Sequence, residues 1–283
     1  MTMQNTIKDT ISIEGIGIHS GEKSTLRLVP AAENHGVKFL RTDINALIEC
    51  NYKNVVPSPL CTMVIDQNSK GQVSTIEHLL SALWAAKIDN ILIEIDNEEV
   101  PILDGSSVQF YKILTEIGAK MQASPRKYIR VKKKVEVVQD DKFLSIAPAE
   151  ALGLDVTIDF AHPIVGRQHL SFKANDNYLD VASARTFGFE QELEYLHTIG
   201  KGKGVSIENA VGLTPEGLSE GVVLRFQDEF VRHKTLDLLG DLYVGGNGSN
   251  FIIGEVKAYK MGHRLNNALL HKLFSDNSNY EIT

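Results

Sequence analysis

The sequence predicts an α+β protein made of two similar domains, each with helices packed on a β-sheet. Three observations support this fold class. Short stretches that alternate apolar and polar residues are typical of strands, and they flank longer segments with helical spacing. The same order of segments restarts after a polar stretch near residue 120. The length of 283 residues suits about two domains of ~150 residues each.

The first half of the chain contains both kinds of pattern. Its predicted strands, which are short and rich in alternating apolar residues, are residues 10–18, 23–31, 37–43 and 90–96. Its predicted helices, with apolar residues three and four positions apart, are residues 74–87 and 106–120. The polar stretch 120–127 contains Pro125 and marks the boundary between the predicted domains 1–123 and 124–283.

The second half begins again with strands and then continues with helices. Its predicted strands are residues 128–137, 142–148, 152–160 and 250–259. Its predicted helices are residues 176–184, 190–199, 230–242 and about 263–273. Residues 201–219 are rich in glycine and are predicted to form a loop-rich insert.

A faint internal repeat connects the two halves. Residues 75–95 and 230–256 both run helix, turn, strand, and both carry a histidine early in a Leu-rich helix. Similar halves would each supply one histidine-bearing helix.

Composition limits the classes of function. The net charge is −7 and no basic face is visible, which argues against a nucleic acid or an anionic membrane as partner. Cys50 and Cys61 form no CxxC motif, and the polar N-terminus has no apolar signal segment. No apolar run approaches the ~20 residues of a membrane span. We expect a cytoplasmic monomer without stable membrane insertion.

The helix at 230–242 has two distinct faces at ~100° per residue. One face is a core stripe of Val231, Thr235, Leu238 and Leu242. The other face combines aromatic, histidine and acidic side chains, namely Phe226, Phe230, His233, Asp237 and Asp241. Two carboxylates beside two phenylalanines would not be buried without a counter-charge. This face therefore predicts a cation beside it.

The spacing of His233 and Asp237 allows a metal ion to be that cation. Residues four apart on a helix have Cβ atoms ~5–6 Å apart, so that both side chains can reach one ion. Taken alone, however, the spacing is more typical of a solvent-facing pair in which Lys234 bridges to Asp237.

The helix at 74–87 offers a second histidine. Its core stripe is Ile76, Leu79, Leu80 and Leu83. His78 lies on the opposite face beside Ala82 and Ala85, whose small side chains allow another surface to approach closely. Glu77 precedes His78 and lies three residues after Ser74. On this pattern alone a capping box, with Glu77 bound to the Ser74 amide, is favoured over a catalytic carboxylate.

Together the two helices predict a set of one carboxylate and two imidazoles: His78, His233 and Asp237. Three protein ligands with an open fourth position are typical of catalytic zinc, and nitrogen and oxygen ligands also suit Fe²⁺. Glu77 would then stand beside a ligand, where it could take a proton from water.

His263 follows Gly262 and opens the last predicted helix. The helix dipole would lower its pKa there, whereas a carboxylate such as Asp241 would raise it. A protonated His263 could stabilise an oxyanion and protonate a leaving amine. An ordinary surface histidine near a helix start fits the sequence equally well.

Six segments along the chain resemble the UDP-3-O-acyl-N-acetylglucosamine deacetylase family, which comprises zinc enzymes of lipid A synthesis. In chain order the segments are GIGIHSGE, STIEHLLSAL, VPILDGSS, SARTFGF, DEFVRHKTLDLLGDL and KMGHRLNN. The resemblance implies a fold of two α+β domains with the active site between them. It also implies hydrolysis of the N-acetyl group of an acylated UDP-sugar, the committed step of lipid A biosynthesis.

The resemblance also implies a role for individual residues. It makes His78, His233 and Asp237 the zinc ligands, Glu77 the general base, and His263 the general acid with Asp241 beside it. Thr186 would bind the oxyanion, and Lys234 would contact substrate near the metal. The substrate-binding set that it implies is Phe160, Lys142, Lys260 and Phe187, while Asp104 and His19 would shape loops.

The family's insert for the acyl chain corresponds to residues around 190–222. The candidate lining residues are Leu196, Ile199, Val205, Ile207, Ala210, Val211 and Leu213. Three alternatives to the deacetylase remain at the level of sequence. They are a zinc amidohydrolase for a different N-acyl substrate, a binding module with structural histidines, and a nucleic-acid-binding protein, which the absence of a basic face disfavours.

Overall fold

The computed structural model of the protein describes residues 2–56, 58–68, 71–246 and 248–283. In the first half the strands are β1 (Met3–Ile7), β2 (Ile11–Ile16), β3 (Lys23–Pro30), β4 (Val37–Arg41), β5 (Ala46–Glu49), β6 (Val55–Val56), β7 (Met63–Ile65), β8 (Gln72–Ser74), β9 (Ile91–Ile95) and β10 (Ala119–Pro125). A short 3-10 helix covers Tyr52–Asn54.

In the second half the strands are β11 (Tyr128–Val131), β12 (Val135–Gln139), β13 (Lys142–Ala147), β14 (Gly153–Asp159), β15 (Arg167–Lys173), β16 (Phe187–Phe189), β17 (Val211–Leu213), β18 (Phe251–Ile253), β19 (Glu255–Tyr259) and β20 (Tyr280–Ile282). The α-helices of the whole chain are α1 (Glu77–Ala85), α2 (Val108–Ile117), α3 (Leu179–Ala182), α4 (Glu190–Thr198), α5 (Glu229–Tyr243) and α6 (His263–Phe274). Strands and helices are thus combined in both halves, which confirms the predicted α+β class.

Two five-stranded sheets have the same topology. Their strand orders are β2-β3-β9-β4-β5 and β12-β13-β19-β14-β15. In each sheet one internal pair is parallel, β4 with β9 and β14 with β19, and the other neighbours are antiparallel. The helix that precedes β9 is α1, and the helix that precedes β18 and β19 is α5. The faint sequence repeat therefore corresponds to two halves with the same sheet topology.

Side-chain alternation explains how these strands contribute to the core. Leu154, Val156 and Ile158 point to the buried face of β14, while the residues between them are only partly buried. β4 shows the same alternation, in which Val37 and Phe39 are buried. Successive strand residues face opposite sides of a sheet, so each sheet presents one apolar face to the helices.

α1 packs along α5, and a glycine of α5 lies against the backbone of α1. A Cβ atom on Gly240 would lie only 2.0 Å from the carbonyl oxygen of Glu77. Gly240 is therefore the residue that lets the two helix backbones meet. Ala82 is also fully buried, as expected for a small residue on a face covered by a second surface.

α5 is buried along almost its whole length. Every residue of this helix except Arg232 and Lys234 is buried, including Glu229 at its start. The two predicted faces therefore both point inward, and the face with His233 and Asp237 belongs to the interior.

The predicted capping box at Ser74 is wrong. α1 begins at Glu77 with Ile76 as its N-cap, so Ser74 lies too far before the helix to cap it. Ser74 instead ends β8, and Thr75 turns the chain with a positive φ of 58°. The Glu77 carboxylate accepts a hydrogen bond from the Thr62 amide at 3.0 Å. Glu77 is thereby directed into the interior of the protein.

Two predicted strands are divided in the structure. Residues 128–137 form β11 and β12, which belong to different sheets, and residues 250–259 divide at Gly254 into β18 and β19. Most of the polar stretch 120–127 belongs to β10, which pairs with β1. No described helix combines the length and apolar character needed to cross a membrane.

Candidate active site

Three side chains from α1 and α5 converge in the interior. The donor atoms of His78, His233 and Asp237 all lie within 4.8 Å of one another. Asp237 Oδ1 is 3.3 Å from His233 Nε2 and 3.5 Å from His78 Nε2. The two imidazole rings stand nearly perpendicular, at 88°, with centroids 5.0 Å apart. Within the described part of the chain, no other His, Cys, Asp and Glu side chains converge in this way.

The chemistry of these three groups fits a divalent cation. All three side chains are buried, and Asp237 Oδ1 has no hydrogen-bond partner among the described residues. A buried carboxylate oxygen without a donor is costly unless a cation completes its environment. A metal ion held by the three side chains would remove this cost.

Protonation states also suit metal binding. Burial lowers the pKa of His233 to about 3, so its imidazole is neutral. His233 Nδ1 donates to the Ala184 carbonyl at 3.1 Å, which leaves the Nε2 lone pair free. Burial alone would raise the pKa of Asp237, but neighbouring groups outweigh it, the Lys234 ammonium group among them, and hold that pKa well below its usual value. His233 and Asp237 thus offer a neutral nitrogen and an anionic oxygen to a metal ion.

Lys234 forms the bridge to Asp237 that helical spacing suggests, with Nζ 2.9 Å from Asp237 Oδ2. The expectation of a solvent-facing pair is wrong, however, because His233 and Asp237 are each only 2% exposed. Burial lowers the pKa of Lys234, but contact with Asp237 raises that pKa by a larger amount, so the net shift is upward. The lysine therefore remains a cation beside the cluster.

A second group of ionisable side chains adjoins this cluster. His263 Nε2 lies 3.8 Å from Glu77 Oε1, and His263 Nδ1 donates to Asp241 Oδ2 at 2.8 Å. All three residues are buried. His263 is the first residue of α6, after Gly262 as N-cap, as predicted. The alternative of an ordinary surface histidine at this position is wrong.

Burial and charge act on these groups in opposite ways. Burial raises the pKa of Glu77, although His263 and His78 oppose the shift. Burial would lower the pKa of His263, but Asp241 and Glu77 outweigh it and raise that pKa to about 9. Of the opposing effects on the pKa of His263, that of the carboxylates is therefore the larger, and the imidazole is protonated at neutral pH.

Two residues of this group were missed from the sequence. The Thr62 hydroxyl donates to Asp241 Oδ1, and Asn266 Nδ2 donates to Asp241 Oδ2 at 2.7 Å. Asn266 lies one helical turn after His263, and that spacing could have suggested it. Thr62 lies in an irregular segment, and no pattern around it pointed to Asp241.

The segment SARTFGF passes beside the cluster. The Phe187 ring lies 6.2 Å from the His233 ring, and Lys234 Nζ is 5.6 Å from the Phe187 centroid. Thr186 precedes Phe187 and is partly buried, and its amide donates to the Gly105 carbonyl at 2.8 Å. Thr186 thus lies two residues after Ala184, whose carbonyl orients His233.

A buried ion pair holds the same segment. Arg185 Nε lies 2.9 Å from Glu229 Oε1, and the Arg185 amide donates to that oxygen at 3.0 Å. Glu229 is fully buried at the start of α5. The peptide group between Ala184 and Arg185 is therefore tied to α5 twice, by its carbonyl to His233 and by its amide to Glu229.

The predicted nucleotide contacts gather at one end of the second sheet. Phe143 pairs with Tyr259, so Lys142 and Lys260 flank the same end of β13 and β19. Phe160 follows β14 at this end and packs against Phe187, with ring centroids 5.8 Å apart. Lys142 is exposed, whereas Lys260 Nζ binds Asp141 Oδ2 at 2.7 Å.

The remaining predictions concern loops and the insert. His19 donates its amide to Glu99 Oε1 at 2.9 Å, and Asp104 Oδ2 is 3.0 Å from Arg225 Nη1. Of the candidate lining residues, those in the core are Ala210, Val211 and Leu213. Those that are exposed are Ile199, Val205 and Ile207, while Leu196 is partly buried.

Comparison with known proteins gives a match over nearly the whole chain. The model of the family described as UDP-3-O-acyl N-acetylglycosamine deacetylase matches residues 4–275. Every residue of the cluster and of the adjoining acid–base group falls inside this range.

Individual relatives agree with the family match, and each bears the name UDP-3-O-acyl-N-acetylglucosamine deacetylase. The protein of a Nitratiruptor species is 43% identical over 99% of this chain and 93% of its own length. That of Actinobacillus succinogenes is 43% identical over 100% of this chain and 93% of its own. That of Pasteurella multocida is 41% identical with the same coverage of 100% and 93%.

Proposed function

This chain belongs to the UDP-3-O-acyl N-acetylglycosamine deacetylase family, and we propose that it hydrolyses the N-acetyl group of UDP-3-O-acyl-N-acetylglucosamine. The products would be acetate and the free amine on the acylated UDP-sugar, in a step of lipid A biosynthesis. The observation that supports the proposal most is the buried cluster of His78, His233 and Asp237. It occurs in a chain that the family model matches from residue 4 to residue 275.

We propose that these three side chains hold one divalent metal ion, with zinc as the expected metal and Fe²⁺ as the alternative. Two imidazoles and one carboxylate suit both ions. The chemistry that such an ion supplies is Lewis acidity, which polarises a carbonyl group and acidifies water. Asp237 is also held by Lys234, so its two oxygens would serve the ion and the ammonium group respectively.

Glu77 is the proposed general base. It precedes His78, is buried, and is oriented by the Thr62 amide on its Oε2 atom. Its other oxygen, Oε1, faces His263. A carboxylate whose pKa is raised by burial is a stronger base than one in water, so it can take a proton from the attacking water.

His263 is the proposed general acid. Its Nδ1 is engaged by Asp241, so the proton on Nε2 points toward Glu77 and the reacting group. With a pKa of about 9 the imidazolium persists at neutral pH and can protonate the departing sugar nitrogen. Its positive charge would also stabilise the oxyanion that forms when water attacks the acetamide.

The remaining predicted residues would hold the substrate. We propose that the Thr186 hydroxyl donates to the oxyanion and that Lys234 contacts the substrate beside Asp237. At the end of the second sheet, Phe160 and Phe187 offer aromatic faces to the uracil and sugar. Lys142 and Lys260 would bind the pyrophosphate as ammonium groups.

The domain limits, location and assembly of the protein also remain proposals. We propose that domains 1–123 and 124–283 enclose the site between them and that residues around 190–222 receive the acyl chain. We further propose a cytoplasmic monomer without a nucleic-acid partner. Sedimentation equilibrium at micromolar concentration would test the monomer.

Acetate release tests the function directly. The purified protein, loaded with zinc, should release acetate from the acylated UDP-sugar, and a metal chelator should stop the release. Plain N-acetylglucosamine should be a poor substrate, because it lacks the nucleotide and the acyl chain. Equal turnover of both compounds would instead favour an amidohydrolase for a different N-acyl substrate. Absence of metal-dependent release from either compound would refute the proposed function.

A further inference from the structure

We propose that Thr62 is a positioning residue for this reaction, whose hydroxyl group holds the Asp241 carboxylate and, through it, the His263 ring. The inference rests on the proposed function of the same site. Thr62 would not touch the substrate, and its effect would be on the direction in which His263 presents its proton.

Thr62 is buried, with only 3% of its surface exposed, and it contacts both proton-transfer groups. Its hydroxyl donates to Asp241 Oδ1, and the same Oγ1 atom lies 3.2 Å from His263 Nδ1. Its amide donates to Glu77 Oε2 at 3.0 Å. One residue thus connects the proposed base with the proposed acid.

The hydroxyl occupies the side of Asp241 that the other donors leave open. His263 Nδ1 and Asn266 Nδ2 both donate to Oδ2, at 2.8 and 2.7 Å. The donor to Oδ1 among the described residues is Thr62. A carboxylate held at both oxygens cannot rotate about its Cβ–Cγ bond without breaking a hydrogen bond. Asp241 therefore presents Oδ2 to His263 in one direction.

Thr62 also joins the two halves of the molecule at this point. Its carbonyl accepts from the Ile76 amide at 3.3 Å, which attaches it to the start of α1. Asp241 and His263 belong to α5 and α6 in the second half of the chain. The Thr62 hydroxyl therefore fixes the position of the proposed acid, His263, relative to the proposed base, Glu77. Proton transfer depends on this relative position.

Substitution of Thr62 separates positioning from packing. Thr62→Val keeps the shape and removes the hydroxyl, whereas Thr62→Ser keeps the hydroxyl and removes the methyl group. A hydrogen bond to a charged group contributes about 1.5–3 kcal/mol, so kcat of Thr62→Val should fall by roughly 10- to 100-fold. KM should stay within about twofold, because the substrate does not touch Thr62. Thr62→Ser should recover most of the wild-type kcat.

Thr6→Val is the matched control. The Thr6 side chain is buried in β1, and its hydroxyl oxygen accepts from the Ala31 amide at 2.9 Å. This control replaces the same atoms and also removes one buried hydrogen bond. We therefore expect Thr6→Val to lower the free energy of unfolding and to leave kcat unchanged. Thr62→Ala offers the same loss of the hydroxyl without an added methyl group, should valine disturb folding.

Three results would overturn the inference while the proposed function stands. The first is a wild-type kcat in both Thr62→Val and Thr62→Ala. The second is a loss of kcat in Thr62→Ser as large as that in Thr62→Val. The third is a rise in KM that accounts for the whole loss of kcat/KM. Crystal structures of the wild type and Thr62→Val give a test that does not depend on turnover. Unchanged side-chain angles of Asp241 and His263 would contradict positioning. A wild type that releases no acetate would refute the proposed function and this inference together.

Discussion

Glu77 and His263 each hold a proton at higher pH than the same side chain does in water. Burial raises the pKa of Glu77 because a buried carboxylate is poorly solvated. Two carboxylates, Asp241 and Glu77, raise the pKa of His263 against the effect of burial. With a pKa of about 9, the proposed acid His263 keeps its proton near neutral pH.

A bell-shaped pH profile follows from these shifts. The base must be ionised, so kcat/KM should rise with pH as Glu77 loses its proton, above the ordinary value of 4.5. The acid must be protonated, so kcat/KM should fall as pH passes about 9, where His263 is neutralised. Initial rates from about pH 5 to pH 10 would show both limbs. His263→Gln should lose the alkaline limb, whereas the exposed His169→Gln should keep it.

Replacement of the base should affect chemistry more than metal content. Glu77→Gln keeps the size of the side chain but cannot accept the proton, so kcat should fall by roughly 100- to 10,000-fold. Zinc content by atomic absorption should remain near that of the wild type, because Glu77 is not among the three proposed ligands. The exposed Glu116→Gln on α2 is the control, with no expected change. Full activity of Glu77→Gln would exclude Glu77 as the base.

Sequence spacing was informative for residues that share a helix and less so for others. His233, Asp237 and Asp241 follow one face of α5, so their approach to one another was visible in the sequence. His78 could be added because its helix showed a face of small residues. Thr62 was invisible, since its contact with Asp241 joins two segments that meet only in the folded chain.

At the scale of elements, the helices were predicted well and the short strands poorly. The helices α1 to α6 lie within or close to predicted ranges, because apolar spacing over several turns is a strong signal. The strands β5, β6, β7 and β16 have two to four residues each, which is too short for a clear alternation. The capping box failed because Thr75 turns the chain after Ser74 and delays the helix.

Contact between α1 and α5 gives a prediction at this scale. Gly240→Ala would place a methyl group 2.0 Å from the Glu77 carbonyl oxygen, so the helices must separate. Alanine favours helix by about 1 kcal/mol, but overpacking typically costs about 1–3 kcal/mol, and here the opposing atom is backbone. We expect a lower free energy of unfolding and weaker zinc binding, measured by urea denaturation and by competition with a chelator.

Gly217→Ala is the control for this substitution. A Cβ atom there meets no other atom within 4 Å, and its φ is not in the left-handed region. The control should leave both stability and zinc affinity unchanged. If Gly240→Ala bound zinc like the wild type, the close helix contact would not be what brings the three ligands together.

At the scale of the whole molecule, the two sheets with equal strand order were only partly predictable. The sequence repeat covers the helix and strand around each histidine, and it indicated similar halves. It could not show the parallel placement of β4 beside β9 and of β14 beside β19, because strand order depends on contacts between distant segments. The smaller sheet β18-β11-β20 was not predictable either, because β11 and β18 lie within longer segments that the sequence presents as single strands.

Metal binding should stabilise the whole molecule. The proposed ligands come from α1 and α5, so an ion bound to all three favours the folded chain over the unfolded one. At a free zinc concentration of about 100 times Kd the gain is about 2.7 kcal/mol. Removal of zinc should therefore lower the midpoint of thermal unfolding. His78→Ala should abolish this dependence on zinc, and the exposed His169→Ala should preserve it.

The wide separation of residues 78 and 237 along the chain has a consequence for biosynthesis. A ribosome that has not yet delivered residue 237 displays a nascent polypeptide without a complete ligand set. Such a nascent polypeptide should bind the ion more weakly than the complete protein, because one of the three proposed ligands is missing. If the three side chains hold the ion as proposed, the ligand set is complete only after residue 237 has been translated, so we expect metal loading to follow translation of α5.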